Sequence, residues 1–431
     1  MRRAVAVGCV LGALAAASCS GDDGAQREQV EIFGSYRGRD ADLFVESLRA
    51  VPTLRDVEIR YTGSRDFVAD LRSRVLDDAD LPDIAMVAQP GVVRELVDAG
   101  TVEPLGTSTI AALDEHYTEE ARALGQVEGE QLGVPYRLTA KSLVWYRPSV
   151  FAAHGWTVPT TWAELVTLVE DIDATEDIAP WCFAIQAGTA TGWAATDWVE
   201  DIVLVREGPE VYDRWVDGEV PFADADIEDA FDTFQALVLS SGRSAGGRET
   251  ILQTPVDKVA KWLVEDPPTC ALYKQADFAL GWFPDGTSIG PEGDVAWFVL
   301  PGVEPDHTSV VVGGDVAVAF DGRAAVEAVM TVLASPEGSA AWRRSSPFVS
   351  PLESVLAEQT PGPIAEIAAA VAAADVVRFD ASDSMPAAVG TTPYWEAITR
   401  WIAGSIDFQR LAEDLDTRRS SIPTLDSRSD P

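Results

Sequence analysis

Basic residues, histidine and cysteine are all scarce in this chain. Lysine and arginine total 32 against 70 aspartates and glutamates, giving a formal net charge of −38. Nucleic-acid phosphates demand clustered Lys and Arg, so a nucleic-acid partner is excluded. Adhesion to anionic lipid headgroups is excluded on the same ground. The three histidines (His116, His154, His307) are scattered, and four cysteines offer no metal-ligand spacing, so no metal site is expected. A nucleophile elbow, a metal-protease motif and a Gly-rich phosphate loop are all missing, and no cofactor is implied. Beyond the N-terminus no apolar run approaches the ~20 residues that span a bilayer.

What is there begins with an export signal. Arg2 and Arg3 precede an uncharged apolar run, Ala4 to Ala17, then Ser18, Cys19 and a polar stretch. A charged start, a short apolar core and small residues before a cut site make a secretory signal. Ala16-Ala17-Ser18-Cys19 resembles a bacterial lipobox, with Ala16 where that family usually carries Leu. The resemblance implies a signal peptide over 1–19 and lipidation of Cys19 at the outer face of the cytoplasmic membrane. Cys9 leaves with the signal. In an oxidising compartment the two remaining cysteines, Cys182 and Cys270, are expected to pair.

The mature chain, about 410 residues, is long for one core, and two domains are expected. Residues 20–29 read as a tether. Strand signals at 30–33, 57–61 and 83–87 alternate with helical spacing at 40–49, 67–76 and 92–99. That alternation indicates an α/β domain with a mostly parallel sheet, whose ligands lie beyond the carboxyl ends of its strands. Ser35, Arg37 and Gln89 follow strands one and three. A strand over 141–146, a helix over 161–172 started by Thr160 or Thr161, strands at 295–300 and 310–320, and a helix over 324–333 come next. The segment 343–425 reads as helical, and 426–431 as a frayed tail.

Four segments together resemble the sugar-binding family 1 of extracellular solute-binding proteins of bacterial ABC importers. They are Leu81-Pro82-Asp83-Ile84 with Ala99-Gly100 and Pro104-Leu105; Gly133-Val134-Pro135-Tyr136 with Ser142 to Tyr146, Gly155-Trp156 and Pro159 to Trp162; Gly313-Gly314-Asp315 with Ala334 to Gly338; and Met385-Pro386 with Tyr394-Trp395. The resemblance implies a two-lobed periplasmic-binding-protein-like fold of type II, with discontinuous lobes joined by hinge crossings. Crossings are placed near 137–141, 284–290 and 342–346. This makes an N-lobe of 30–138 plus 287–342 and a C-lobe of 139–286 plus 343–425. Hinge closure on a solute and delivery to a permease by a monomer are further expectations from the family.

A sugar offers apolar C–H faces and polar edges, so its site wants aromatic platforms beside hydrogen-bonding groups. Trp193, Asp197 and Trp198 lie in one Gly- and Trp-rich segment that supplies both, although core packing of the tryptophans is the competing reading. Trp282, in Gly281-Trp282-Phe283-Pro284, and the pair Tyr394 and Trp395 match aromatic positions of sugar-binding relatives, with one of that pair expected at the cleft and one in the core. Gln89 matches a loop that holds sugar hydroxyls. Asp315 is a candidate hydroxyl acceptor at a strand mouth. Tyr136 flanks a hinge, as does Lys141, and either can be purely structural. Arg37, Arg137 and Arg343 are too scattered to suggest a phosphate site. The expected ligand is therefore an oligosaccharide or glycoside. A betaine or polyamine caged by tryptophans in an acidic cleft is the alternative. A lipid-anchored glycoside hydrolase is a remote one, since with so many acids a carboxylate pair arises by chance.

Overall fold

The structure, a computed structural model, describes residues 27–77, 81–175, 177–346, 348–358 and 361–422. The expected signal, Cys19 and the frayed tail lie outside the described residues. No helix among the described residues is long and apolar enough to cross a membrane.

Twelve strands occur among the described residues: β1 (Glu28–Gly34), β2 (Val57–Gly63), β3 (Ile84–Val87), β4 (Gln126–Val127), β5 (Glu130–Gln131), β6 (Gly133–Ala140), β7 (Leu143–Tyr146), β8 (Ala179–Trp181), β9 (Cys270–Lys274), β10 (Ala296–Val299), β11 (Ser309–Ala319) and β12 (Val376–Phe379). The first lobe is built on the order β12-β11-β3-β1-β2, with β6 also paired to β11. Strand β1 runs parallel to β2 and β3, whereas β11 runs antiparallel to β3 and β6. All four residues of β3 are buried, the signature of a central strand covered on both faces. The second lobe carries β10-β7-β9-β8. Its core surrounds the helix Trp193–Arg206, in which every residue from Ala194 to Leu204 is buried.

Local signals account for most boundaries. The helix Trp162–Asp173 is capped by Thr161, whose hydroxyl accepts from Glu164 N at 3.2 Å, while Glu164 accepts from Thr160 N at 2.8 Å. This reciprocal capping satisfies donors that a helix start leaves open. Cys182 and Cys270 form the expected disulfide, joining the segment after β8 to the first residue of β9.

The expected lobe boundaries shift at three places. Glu28 and Gln29 already belong to β1, so the tether is shorter than 20–29. The chain passes from the first sheet to the second between β6 and β7. The return does not come at 284–290, because β10 pairs with β7 in the second sheet and the chain re-enters the first sheet only with β11. Nor does the chain leave the first lobe at 342–346. The Glu337–Ser345 helix packs against Arg39–Arg49, Phe348, Leu352 and Val355 remain in the first-lobe core, and β12 pairs with β11. Ile367, Ala368 and Val371 share a core with Trp145, Cys182 and Cys270 of the second lobe, and Ala381 enters the core around the Trp193–Arg206 helix. At the C-terminus, Arg419 is still helical and donates to the Trp215 carbonyl at 2.8 Å.

Candidate ligand cleft

Strand alternation decides what β6 contributes. Val134 and Tyr136 point into the first-lobe core, and Arg137 points the other way. The Tyr136 hydroxyl donates to the Gly338 carbonyl at 3.1 Å, so Tyr136 is a core residue and not a cleft residue. Its neighbour Arg137 donates from Nε to Asp315 Oδ2 at 3.0 Å. The same guanidinium lies 5.1 Å from the Tyr36 ring centre and 5.3 Å from that of Trp342. Asp315 is thus buried and anchored. Ser35 and Arg37, on either side of Tyr36, are exposed.

Opposite stand aromatics of the second lobe. Trp193 meets the Phe278 ring edge-on at 5.8 Å, and Phe278 meets Trp282 at 5.0 Å. Trp193 and Trp282 are both partly buried. A cavity of about 350 Å³ is lined by Arg137, Trp342 and Phe348 from the first lobe and by Asp277, Phe278 and Trp282 from the second. A larger depression of about 800 Å³ lies among Asp173, Ser240 and Arg248, and none of the candidate residues lines it.

Three candidates separate from this cleft. Trp198 is 1% exposed and packs edge-on against Trp181 at 4.8 Å. On a helix buried all round, no spacing rule tells a ligand face from a core face. Tyr394 is enclosed by Trp215, Phe222 and Phe231. Trp395 is partly buried, and its carbonyl abuts Gly192 so closely that a Cβ there would lie 2.3 Å away. Gly192 also sits at φ +114, a conformation open to glycine. Trp395 therefore stands beside the start of the Trp193 helix, and its indole Nε1 is buried without a partner.

Beside Trp193 lies a buried charge cluster around Lys141 that the sequence showed only in part. Lys141 Nζ donates to Asp197 Oδ1 at 3.1 Å and to Asp380, and lies 4.0 Å from Asp383. Gly313 makes room for the lysine stem, since a Cβ there would lie 2.9 Å from Lys141 Cε. Glu200 accepts from the backbone N–H groups of Ala381 and Ser382 at 2.9 and 3.2 Å. Beside it Lys274 pairs with Asp201 and donates to the Asp197 carbonyl at 2.9 Å. Carboxylates of Asp197, Glu200 and Asp380 converge as metal ligands can, yet Lys141 bonds two of the three and supplies the positive charge itself.

Burial would depress the Lys141 ammonium, but the surrounding carboxylates, Asp197 foremost, outweigh it and hold it well above the lysine value. Asp197 is raised to about 7, by burial against the pull of Lys141. Burial and then Asp380 drive Glu200 and Asp383 well above the carboxylate range. Asp380 goes the other way, because Lys141 overcomes its burial. Gln89, at the end of β3, hydrogen-bonds the Asp383 carboxyl. Asp277, beside Arg137, is raised to about 7 by burial.

Two α/β lobes that both line one cavity, with Arg137 from the first and Asp277, Phe278 and Trp282 from the second, have the architecture of a two-lobed solute-binding protein. The chain belongs to the bacterial extracellular solute-binding protein family, which residues 55–340 match; its members are the binding components of ABC importers and not enzymes. It is 34% identical over 389 residues to the osmoprotective compounds-binding protein GgtB of Synechocystis sp., spanning 90% of this chain and 91% of that one. It is 31% identical over 390 residues to the alpha-glucosides-binding periplasmic protein AglE of Rhizobium meliloti, over 88% and 84% of the two chains. The fold matches the bacterial solute receptor AcbH with a TM-score of 0.73 at 16% identity, over 92% of this chain and 98% of that one. A chitin oligosaccharide binding protein gives a TM-score of 0.73 at 16% identity, over 91% and 99%.

Proposed function

We propose that the protein captures a small α-glucoside, or a similar uncharged glycoside, and hands it to an ABC permease. The observation that carries this reading is the pairing of an aromatic strip, Trp193–Phe278–Trp282, with buried hydrogen-bonding side chains in the same cleft. Ring faces suit the C–H surface of a sugar, and carboxylates suit its hydroxyls. The name of AglE and the sugar specificities of the structural neighbours support it. The name of GgtB keeps osmoprotective compounds in view.

Protein lacking residues 1–19 should be stabilised in a thermal-shift screen by maltose, sucrose or methyl α-D-glucopyranoside, with none of them hydrolysed. Stabilisation by glycine betaine or spermidine and by no sugar overturns the reading. Delivery also fits a lipid anchor at Cys19, which would hold the loaded protein near its permease. A Cys19→Ser variant should then leave the membrane fraction.

A further inference from the structure

We infer that Asp277 couples closure of the two lobes to pH, so that protonation of this one carboxyl favours the closed, solute-holding form. The inference concerns closure itself and does not depend on the class of solute.

Asp277 opens the short turn Asp277–Gly281 that follows β9 of the second lobe. The turn packs against β6 of the first lobe. The backbone N–H groups of Phe278 and of Ala140, the last residue of β6, face the Asp277 carboxyl. Asp277 is 5% exposed and shares the walls of the cavity of about 350 Å³ with Arg137, Trp342 and Phe348 of the first lobe. Both lobes build those walls. Rotating the lobes apart therefore admits water to the carboxyl, and rotating them together removes it.

The cation that acts on Asp277 is Arg137 of β6. Its guanidinium already bonds Asp315 of β11 at 3.0 Å and lies 5.1 Å from the Tyr36 ring centre. Asp40, on the Arg39–Arg49 helix, lines the same cavity and draws on the same charge. Arg137 thus has little charge to spare for Asp277. Burial wins, and Asp277 is raised to about 7 against the pull of Arg137 and of the two N–H groups. A wetted carboxyl ionises near 4. Closure therefore takes up a proton between about pH 4 and 7, and its advantage is lost as pH rises through 7. The other raised acids, Asp197, Glu200 and Asp383, do not line this cavity, so water entering it does not reach them.

Two readouts test this. In ligand-free protein carrying one fluorophore on each lobe, the interlobe distance should be shorter at pH 5.5 than at pH 8. Asp277→Asn, neutral at both, should keep the shorter distance throughout, whereas Asp277→Glu, which still titrates, should keep the pH effect. With maltose, calorimetry in buffers of different ionisation enthalpy should show an uptake approaching one proton per molecule bound near pH 6, and affinity should rise roughly tenfold from pH 8 to pH 5.5. Both effects should vanish in Asp277→Asn. A wild-type distance that is the same at the two pH values overturns the inference. So does a pH effect of equal size in Asp277→Asn, which would place the proton elsewhere. Should maltose not bind, the glycoside reading suffers and the distance measurement still decides.

Discussion

Trp193 and Trp198 stand five residues apart on one helix and meet different surroundings. Trp193 is partly exposed beside Lys141 and Phe278, whereas Trp198 is sealed against Trp181 and Phe234. Truncation should separate the two. Trp193→Ala should weaken glycoside binding by roughly 1.5–3 kcal/mol, the scale for uncovering a large apolar side chain, with an unchanged melting temperature. Trp198→Ala should cost about 3–5 kcal/mol of stability, with little effect on the affinity of molecules that still fold. Calorimetric titration and thermal melting of both variants check this. Equal loss of affinity in the two would return Trp193 to a structural role.

At the scale of elements, much of the first lobe was legible because its strands and helices alternate with clean periods. The segments 57–61, 67–76 and 324–333 fall on observed elements. Strand β12 was not. Strand β12 is four half-buried residues inside a run of helix formers, and it exists because β11 offers it an edge. Tertiary pairing of that kind leaves no local period to read. Asp380 and Asp383 were missed for the same reason, since in a chain with seventy acids only contact with Lys141 marks them. Arg137 was passed over because a lone arginine has no pattern. The alternation that buries Tyr136 was the available signal. The disulfide was legible from cysteine count and compartment, and it ties the second-lobe sheet across 88 residues of sequence. Replacing both Cys182 and Cys270 by serine should cost roughly 2–5 kcal/mol of stability. Chemical denaturation under oxidising conditions measures it, and a loss below 1 kcal/mol would mean that packing between β8 and β9 holds that sheet alone.

For the whole molecule, the buried acids make stability a function of pH. Asp197 and Asp277 are raised to about 7, and Glu200 and Asp383 well above the carboxylate range, each chiefly by burial. In the unfolded chain such groups ionise near 4. Between about pH 4 and 7 the folded state therefore keeps protons that the unfolded state has released, and stability falls as pH rises through that window. Asp380, whose carboxyl is lowered, acts in the opposite sense, but its contribution is lost only at acid pH below its ordinary value. Above about pH 5 Asp380 is ionised in both states and adds no slope, so the raised acids set the trend there. The net charge of −38 adds repulsion with the same sign. Salt separates the two sources, because 1 M NaCl shortens the screening length to about 3 Å and quenches surface repulsion while leaving buried groups almost untouched. Melting followed by calorimetry should give a higher midpoint at pH 5.5 than at pH 8. The gap should persist in 1 M NaCl and narrow in Asp277→Asn, which has no proton to lose at that site. A midpoint that is flat with pH in high salt would mean that the cluster stays ionised in the folded protein, with Lys141 and Lys274 carrying more of its charge than their contacts with Asp197, Asp380 and Asp201 imply.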